Sequence, residues 1–348
     1  MRHRGSDGAA AGTPETVAGG DRVGSSACAQ ADTVQQDRTA AAARATTFMK
    51  RILTGAGRPS SARRLFLRGG LAALVPLVPG CAWMDTRART AMYRPTPGRP
   101  ESFTGLQPGD ETGFIAVPDA GTGEIQRLAI WWLPRPEPDA PSLLYLHGTF
   151  RNLYRNYPKI EALRAAGFSV LAVDYRGWGD STPIVPSEKT ILADADAAWT
   201  EFVRRQPDPC KRVIYGHSLG GAVAIDLASR KHVRSDYAAL AVESTFSSLV
   251  DLAASAAGPL GPIAVWLSGE RFDSFARIGK VDAPILMLHG EKDDTVPIAL
   301  GRKLRDAAPP GVRWIEVPGG SHSRLHTDAP ETYRAAFRSL IEGMCRER

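Results

Sequence analysis

The chain has 348 residues, and its 43% of hydrophobic and 23% of charged residues are typical of a soluble globular core. The formal net charge of +6 would suit a nucleic-acid partner, but the excess lies in residues 1–81, which hold eleven Lys or Arg and five Asp or Glu. Residues 82–348 hold 32 side chains of each sign, so this part has no electrostatic footprint for DNA or RNA and we predict no nucleic-acid partner.

Residues 1–48 are rich in Ala, Gly, Thr and Ser and have almost no large apolar side chains. Such a segment cannot bury enough surface to offset the entropy of ordering, so it is predicted to be disordered. The alternative is that the protein starts at Met49 and that the upstream residues are an extension outside it.

Residues 49–81 have the pattern of a targeting signal. The pair Arg63-Arg64, followed by x-Phe-Leu, is typical of a bacterial twin-arginine export signal. The apolar run 71–80 is too short to span a bilayer, which needs roughly 20 helical residues, so it is predicted to be the hydrophobic region of a cleaved signal.

The end of this signal resembles a lipoprotein cleavage box, Val78-Pro79-Gly80-Cys81, in which the cysteine becomes the lipidated N-terminus. In that pattern Ala82, as the second mature residue, favours the outer membrane over the inner one. We therefore expect a protein of the bacterial cell envelope, held on the periplasmic side by a lipid on Cys81. A plain cleaved signal without a lipid is the alternative.

Residues 82–110 contain four prolines and are predicted to be a linker, and residues 111–348 are predicted to form one domain. Apolar strands alternate with helices along that domain, which predicts an α/β fold with a mostly parallel eight-stranded sheet and helices on both faces. The predicted strands are 114–117, 128–133, 143–146, 168–173, 213–215, 240–242, 285–288 and 314–317, and the predicted helices are 160–166, 190–205, 222–228, 298–307 and 330–342.

The most informative stretch is Gly216-His217-Ser218-Leu219-Gly220, which follows an apolar strand and precedes a helix. Gly-x-Ser-x-Gly in this setting is the pattern of a nucleophile elbow, a tight turn that exposes a serine hydroxyl above the sheet. The helix that starts there directs its free N–H groups toward the serine, which suits a developing anion. By itself the motif also fits a glycine-rich turn without chemistry, because the chain has 34 glycines.

A serine nucleophile needs a base that takes its proton and an acid that orients the base. In this architecture the acid and then the histidine follow the serine along the chain. The segments 289–297 and 319–322 follow the seventh and eighth predicted strands, where such sheets place their chemistry, and they supply Asp293 and His322.

Together these motifs resemble the serine hydrolases of the alpha/beta-hydrolase fold, especially their small-lidded lipase and lysophospholipase branch, over about residues 110–342. The resemblance implies that Ser218 is the nucleophile, Asp293 the orienting acid and His322 the general base, with a minimal lid and without a cofactor or metal. The matching motifs are Leu-His-Gly at 146–148, Asp174-Tyr-Arg-Gly-Trp-Gly-Asp-Ser181, Gly-His-Ser-Leu-Gly-Gly at 216–221, Glu243-Ser-Thr-Phe-Ser-Ser-Leu249, His-Gly-Glu-Lys-Asp-Asp-Thr-Val-Pro at 289–297 and Gly-Gly-Ser-His at 319–322.

Several positions have alternatives. Asp294 adjoins Asp293 and is a second candidate for the acid, and His326 follows His322 at a spacing that two metal ligands on one helix face would have. The Glu of a zinc-protease motif is absent because Ser323 stands in its place, so no metal site is predicted. The other histidines at strand ends are interpreted as structural; they are His147, His217 and His289.

The oxyanion hole is predicted to consist of the backbone N–H groups of Leu219 and Thr149, with Phe150 as the alternative to Thr149 because the family usually has Asn-Ala-Gly in that loop. The apolar stretch 253–267 is interpreted either as an acyl-binding wall that can dip toward a membrane or as ordinary core. Cys210 and Cys345 form either a disulfide or two free thiols.

The sequence therefore predicts a serine hydrolase that cleaves a small-molecule or lipid ester through an acyl-enzyme. A peptidase or aminopeptidase and a thioesterase are the enzymatic alternatives, since related branches share these motifs. A noncatalytic envelope-binding protein on the same fold is the alternative from another class. The acyl chain, the alcohol and the oligomeric state are not encoded in any motif.

Overall fold

Eight strands, ten α-helices and one short 3-10 helix, Pro209–Lys211, make up the computed structural model, which describes residues 78–344. The strands are β1 Glu111–Pro118, β2 Ile125–Leu133, β3 Ser142–Leu146, β4 Ser169–Asp174, β5 Arg212–His217, β6 Ala239–Glu243, β7 Ile285–Gly290 and β8 Arg313–Val317. The helices are α1 Val78–Tyr93, α2 Leu153–Ala165, α3 Glu188–Arg205, α4 Leu219–Ala228, α5 Leu249–Ala257, α6 Leu260–Ser268, α7 Phe275–Ile278, α8 Ile298–Ala307, α9 Leu325–Asp328 and α10 Pro330–Gly343.

All eight strands form one sheet in the order β1-β2-β4-β3-β5-β6-β7-β8. The pairs β1/β2 and β2/β4 are antiparallel, and every other neighbouring pair is parallel. The predicted mostly parallel, eight-stranded α/β sheet is confirmed, and this order is that of the alpha/beta-hydrolase fold.

The central strands are buried on both faces because helices cover each side of the sheet. In β3 the side chains of Leu144 and Leu146 join the core under α3 and α4, whereas Leu143 and Tyr145 join the core under α2 and α10. Because successive side chains enter cores on opposite faces, successive positions of a central strand are apolar. The strand is therefore a continuous apolar run in the sequence, without polar residues at every second position.

Helix α2 begins seven residues before the predicted position, at Leu153. Pro158 lies inside the helix, and a proline in that position normally argues for a helix boundary. Two polar side chains fix the start of the helix: the Asn152 side chain accepts the Arg155 N–H, and a carboxylate oxygen of Asp174 accepts the Leu153 N–H at 2.9 Å. The helix therefore starts at Leu153 and continues through the proline.

The segment 82–110 was predicted to be a linker, but in the structure it is partly helical and packs against the domain. Its first part belongs to α1, and Tyr93 at the end of α1 is fully buried. The Tyr93 hydroxyl donates a hydrogen bond to Glu270, which lies just after α6. Beyond the helix, the Gly98 N–H donates to the Gly179 carbonyl at 2.7 Å. The segment therefore packs against the domain over much of its length.

The stretch 253–267 divides between exposed and buried side chains. Val265 belongs to the core, whereas Leu260, Ile263 and Trp266 are more than half exposed. The core interpretation therefore applies to Val265, and an acyl-binding or membrane-facing role of the exposed residues stays a prediction. Within the described part of the chain, none of the helices combines the length and the hydrophobicity that crossing a membrane requires.

The predictions for the N-terminal segment and for Cys345 fall wholly or partly outside the described range. The twin-arginine pair and the segment 1–48 lie there entirely. Cys210 is disulfide-bonded, which excludes a free thiol at this position, and Cys345 lies outside the described residues, so their pairing stays a prediction.

Candidate active site

Ser218 lies between the end of β5 and the start of α4, at the turn that the sequence predicted. Its backbone has φ 56° and ψ −121°, a conformation that a residue with a side chain rarely adopts and that costs on the order of 1–3 kcal/mol. Two hydrogen bonds to the end of β6 and the loop after it fix the turn. The Ser218 N–H donates to the Glu243 carbonyl, and the Thr245 hydroxyl donates to the Ser218 carbonyl, both at 2.9 Å.

The two glycines of the elbow are required by close backbone approach. A Cβ atom at Gly216 would lie 2.0 Å from the Gly220 carbonyl oxygen, and one at Gly220 would lie 2.0 Å from the Leu146 carbonyl oxygen. Neither position can hold even an alanine without moving the main chain. Local sterics therefore explain why Gly flanks the serine on both sides.

His322 follows β8 and contacts both other predicted site residues. Its Nε2 atom lies 3.0 Å from the Ser218 hydroxyl oxygen, and its Nδ1 atom lies 2.8 Å from a carboxylate oxygen of Asp293. Asp294, the alternative acid, is exposed and contacts neither ring nitrogen. The structure therefore brings Ser218, His322 and Asp293 together in one hydrogen-bonded chain.

Asp293 is a buried carboxylate that its surroundings keep ionised. Burial opposes ionisation, but hydrogen bonds from His289, His322 and the Val296 N–H outweigh it and hold the pKa of Asp293 well below its usual range. The second carboxylate oxygen accepts the N–H groups of Thr295 and Val296 at 2.9 and 2.8 Å. This carboxylate is a fixed negative charge beside the Nδ1 atom of His322.

The histidines interpreted as structural do make structural contacts, and two of them support the site. His217 has its Nε2 atom 2.9 Å from the His322 carbonyl, and burial lowers the pKa of His217 far enough to keep the ring neutral, so that Nε2–H donates. His289 places its Nε2 atom 2.9 Å from the Val296 carbonyl and 3.4 Å from Asp293. Burial lowers the pKa of His147 to about 4.

The predicted oxyanion loop lies directly against the nucleophile. A Cβ atom at Gly148 would lie 2.9 Å from the Ser218 Cβ atom, so the loop after β3 touches the elbow. Thr149 and Phe150 both line the cleft beside His322, and Phe150 has φ 71°. Leu219 is the first residue of α4, where the N–H groups have no partner inside the helix.

The cleft around His322 has a volume of about 420 Å³. Phe150 is the one large apolar side chain that lines it, and three cations, Arg151, Lys292 and Arg324, line it as well. Sequence reasoning missed these cations, although each lies within two positions of a predicted site residue. That proximity is the signal that could have identified them.

A second feature missing from the sequence analysis is a buried ion pair beneath the elbow. Lys159 of α2 and Glu243 of β6 are 3% and 0% exposed, and the lysine ammonium donates to the glutamate. Glu243 also accepts the hydroxyl groups of Tyr215 and Tyr333 at 2.6 and 3.1 Å. The same residue thus connects this network to Ser218, through its backbone carbonyl.

The chain is similar to several known proteins. Residues 137–274 match the family model described as serine aminopeptidase, S33. The chain is 33% identical over 241 residues to Rv2307c of Mycobacterium tuberculosis, an alignment that covers 68% of this chain and 81% of that protein. It is also 33% identical over 196 residues to the lysophosphatidylserine lipase ABHD12 of Danio rerio, covering 52% of this chain and 50% of that one.

Solved structures show the same fold at low identity. The esterase Pf2001 of Pyrococcus furiosus superposes with a TM-score of 0.55 and 18% sequence identity, covering 72% of this chain and 99% of that chain. At this identity the likeness concerns the fold alone.

Proposed function

Because the chain belongs to the alpha/beta-hydrolase family, we propose that it is a serine hydrolase that cleaves carboxylic esters through an acyl-enzyme. The observation that carries the proposal is the hydrogen-bonded chain from Ser218 through His322 to Asp293, with distances of 3.0 and 2.8 Å. A neutral imidazole can accept the hydroxyl proton at Nε2 only if Nδ1 carries the other proton, and the Asp293 carboxylate selects that tautomer.

In the first half of the proposed reaction, the Ser218 oxygen attacks the ester carbonyl carbon while His322 takes its proton. The negative charge moves to the carbonyl oxygen, which the N–H groups of Leu219 and Thr149 stabilise, with Phe150 as the alternative donor. His322 then returns the proton to the alcohol oxygen as the carbon–oxygen bond breaks. The alcohol leaves and the acyl group stays on the serine.

In the second half, water replaces the alcohol. His322 removes a proton from the water, the resulting hydroxide attacks the acyl carbon, and the proton returns to Ser218 as the acid product leaves. Throughout the cycle Asp293 stays charged and stabilises the imidazolium, which agrees with its lowered pKa.

The family model's description as an aminopeptidase makes peptide hydrolysis the second candidate. An aminopeptidase must bind a positively charged amino terminus next to the scissile bond, which calls for a carboxylate there. Asp294 is the single carboxylate among the residues that line the cleft, against three cations. This charge balance favours an ester substrate over a peptide with a free amino terminus.

The test is hydrolysis of p-nitrophenyl esters of increasing acyl length by the full chain, beside Ser218→Ala and His322→Ala. We expect both variants to lose on the order of 10⁴-fold or more in kcat. Aminoacyl p-nitroanilides in the same assay test the peptidase candidate.

A matched control is Ser255→Ala, which removes an exposed hydroxyl from α5 and should keep full activity. Labelling with a fluorophosphonate should occur in wild type and in this control and disappear in Ser218→Ala. If wild type hydrolyses no ester and is not labelled, the esterase proposal is wrong, and the result favours a noncatalytic binding protein.

We further propose that the protein is exported and carries a lipid on Cys81. Support comes from the motifs at 63–64 and 78–81 and from the exposed apolar side chains of Trp83 and Met84, which follow the cysteine on α1. Metabolic labelling with a palmitate analogue tests this: wild type should incorporate it and Cys81→Ala should not. Labelling that persists in Cys81→Ala would contradict the proposal.

A further inference from the structure

The mouth of the cleft is positively charged. Arg151 and Lys292 are exposed, and neither side chain makes an ion pair with any described residue. Arg324 is also exposed and has a loose contact with Asp328 at 3.6 Å. The one carboxylate on the lining, Asp294, leaves an excess of positive charge over the opening. Unpaired cations in a concave site attract anions and raise their local concentration.

The chain positions of these cations relate them to the chemistry. Arg151 lies on the loop of the predicted oxyanion donors, Lys292 directly precedes Asp293, and Arg324 comes two residues after His322. A general acid must reach the oxygen of the departing alcohol, so the alcohol part of an ester has to lie beside the Nε2 atom of His322. Two of the three cations are therefore on the loops that surround the place of the alcohol.

The remaining lining adds hydrogen-bonding groups beside these cations. Asn156, Thr295 and Ser321 add amide and hydroxyl groups, while the exposed apolar residues of α6 do not line this cleft. A group that occupies the cleft must keep its polar atoms hydrogen-bonded, because burying them unpaired costs free energy. An anionic group in the cleft would find both cations and hydrogen-bond partners there.

We propose that these three cations, Arg151, Lys292 and Arg324, select esters whose alcohol part carries a phosphate or a carboxylate. The inference rests on the proposed esterase function and adds the chemical class of its substrate. Arg151 and Arg324 can each donate two parallel hydrogen bonds to an anionic group, and Lys292 adds a point charge. Esters of uncharged or cationic alcohols lack a partner for these side chains.

The experiment uses the full chain and four octanoyl esters that differ in the alcohol alone: glycerol, glycerol 3-phosphate, glyceric acid and choline. All are assayed as monomers in solution, so that binding to lipid aggregates does not contribute. We expect kcat/KM to be roughly tenfold higher for the anionic esters than for the glycerol ester, and lowest for the choline ester. Comparison of kcat/KM for the glycerol 3-phosphate and glyceric acid esters shows which of the two anions is preferred.

The variant is Lys292→Gln/Arg324→Gln, and its matched control is Arg338→Gln, which removes an exposed cation of α10 that does not line the cleft. In the double variant the ratio of kcat/KM for the preferred anionic ester to that for the glycerol ester should fall roughly tenfold, whereas the control should keep the wild-type ratio. Added salt should lower the ratio in wild type and change it little in the double variant.

Two results separate the two proposals. Hydrolysis of the glycerol ester without any preference for anionic esters, or an unchanged ratio in the double variant, would overturn the anion selectivity and leave the esterase proposal standing. Absence of hydrolysis of all four esters, together with no fluorophosphonate labelling of Ser218, would overturn the esterase proposal and the selectivity with it.

Discussion

The buried pair of Lys159 and Glu243 offers the sharpest test of how the elbow is supported. Lys159→Met removes the ammonium while keeping a side chain of similar length in α2. It leaves the Glu243 carboxylate buried, with the hydroxyl groups of Tyr215 and Tyr333 as its remaining side-chain donors. The perturbation therefore creates an uncompensated charge under the turn that holds Ser218.

The expected loss of stability follows from the burial and the charges of Lys159 and Glu243. Two unit charges in contact at about 3 Å attract by about 5 kcal/mol if the effective dielectric constant is about 20. Desolvation of both groups offsets part of this attraction, and burial lowers the pKa of Lys159 even with Glu243 beside it. Removing one partner alone is the costly change, and we expect Lys159→Met to lower the free energy of unfolding by about 3–5 kcal/mol.

The matched comparison is Lys159→Met/Glu243→Gln, which removes both charges and keeps an oxygen that can accept the tyrosine hydroxyls. Urea unfolding of wild type, both single variants and the double variant measures the coupling free energy. We expect the double variant to be more stable than the sum of the single costs predicts, by about 2 kcal/mol or more. Costs that add within about 0.5 kcal/mol would refute the argument that the two charges compensate each other.

Three further changes test the elbow, the acid and the N-terminal helix. Gly220→Ala should abolish activity and lower the melting temperature, whereas Gly343→Ala, whose new Cβ atom meets nothing within 4 Å, should be tolerated; equal behaviour in thermal unfolding would contradict the steric account. Asp293→Asn should lower kcat by on the order of 10⁴-fold. Since the folded pKa of Asp293 lies below the unfolded value of about 4, its stabilisation is present above that pH and is lost as the pH falls toward the folded pKa, so acid unfolding curves of the variant should show less pH dependence there. Tyr93→Phe removes the hydrogen bond to Glu270 and should cost about 1–3 kcal/mol in urea unfolding; an unchanged midpoint would show that this contact does not hold α1.

The parts of the site that the sequence predicted are those that strong local constraints determine. Close packing permits only glycine at 216 and 220, and the strained turn between them puts Ser218 at the start of α4. Asp293 and His322 were predictable because parallel strands end at one edge of the sheet, so loops far apart in the chain meet there. The sequence favoured Asp293 and left Asp294 as the alternative, and in the structure it is Asp293 that contacts His322.

Other features depend on contacts between distant segments that leave no local pattern. The segment 82–110 looks like a linker because it is rich in proline, yet one buried tyrosine and a partner 177 positions away attach it to the domain. Lys159 looks like an ordinary solvent-facing lysine of a helix, and its burial becomes evident only when Glu243 is placed opposite it. Both cases involve a polar group whose partner is remote in sequence.

The N-terminal segment also connects the proposed lipid anchor to the proposed oxyanion loop. Along helix α1, Tyr93 lies twelve residues after Cys81, which is about 18 Å at 1.5 Å per residue. Directly after it, the Arg94 guanidinium lies 4.5 Å from the centre of the Phe150 ring, and the Asn152 side chain donates to the Gly98 carbonyl at 3.0 Å. The residues that follow α1 thus brace the loop that faces Ser218. If Cys81 carries the lipid, the anchor and the proposed oxyanion loop are joined by one short, folded path.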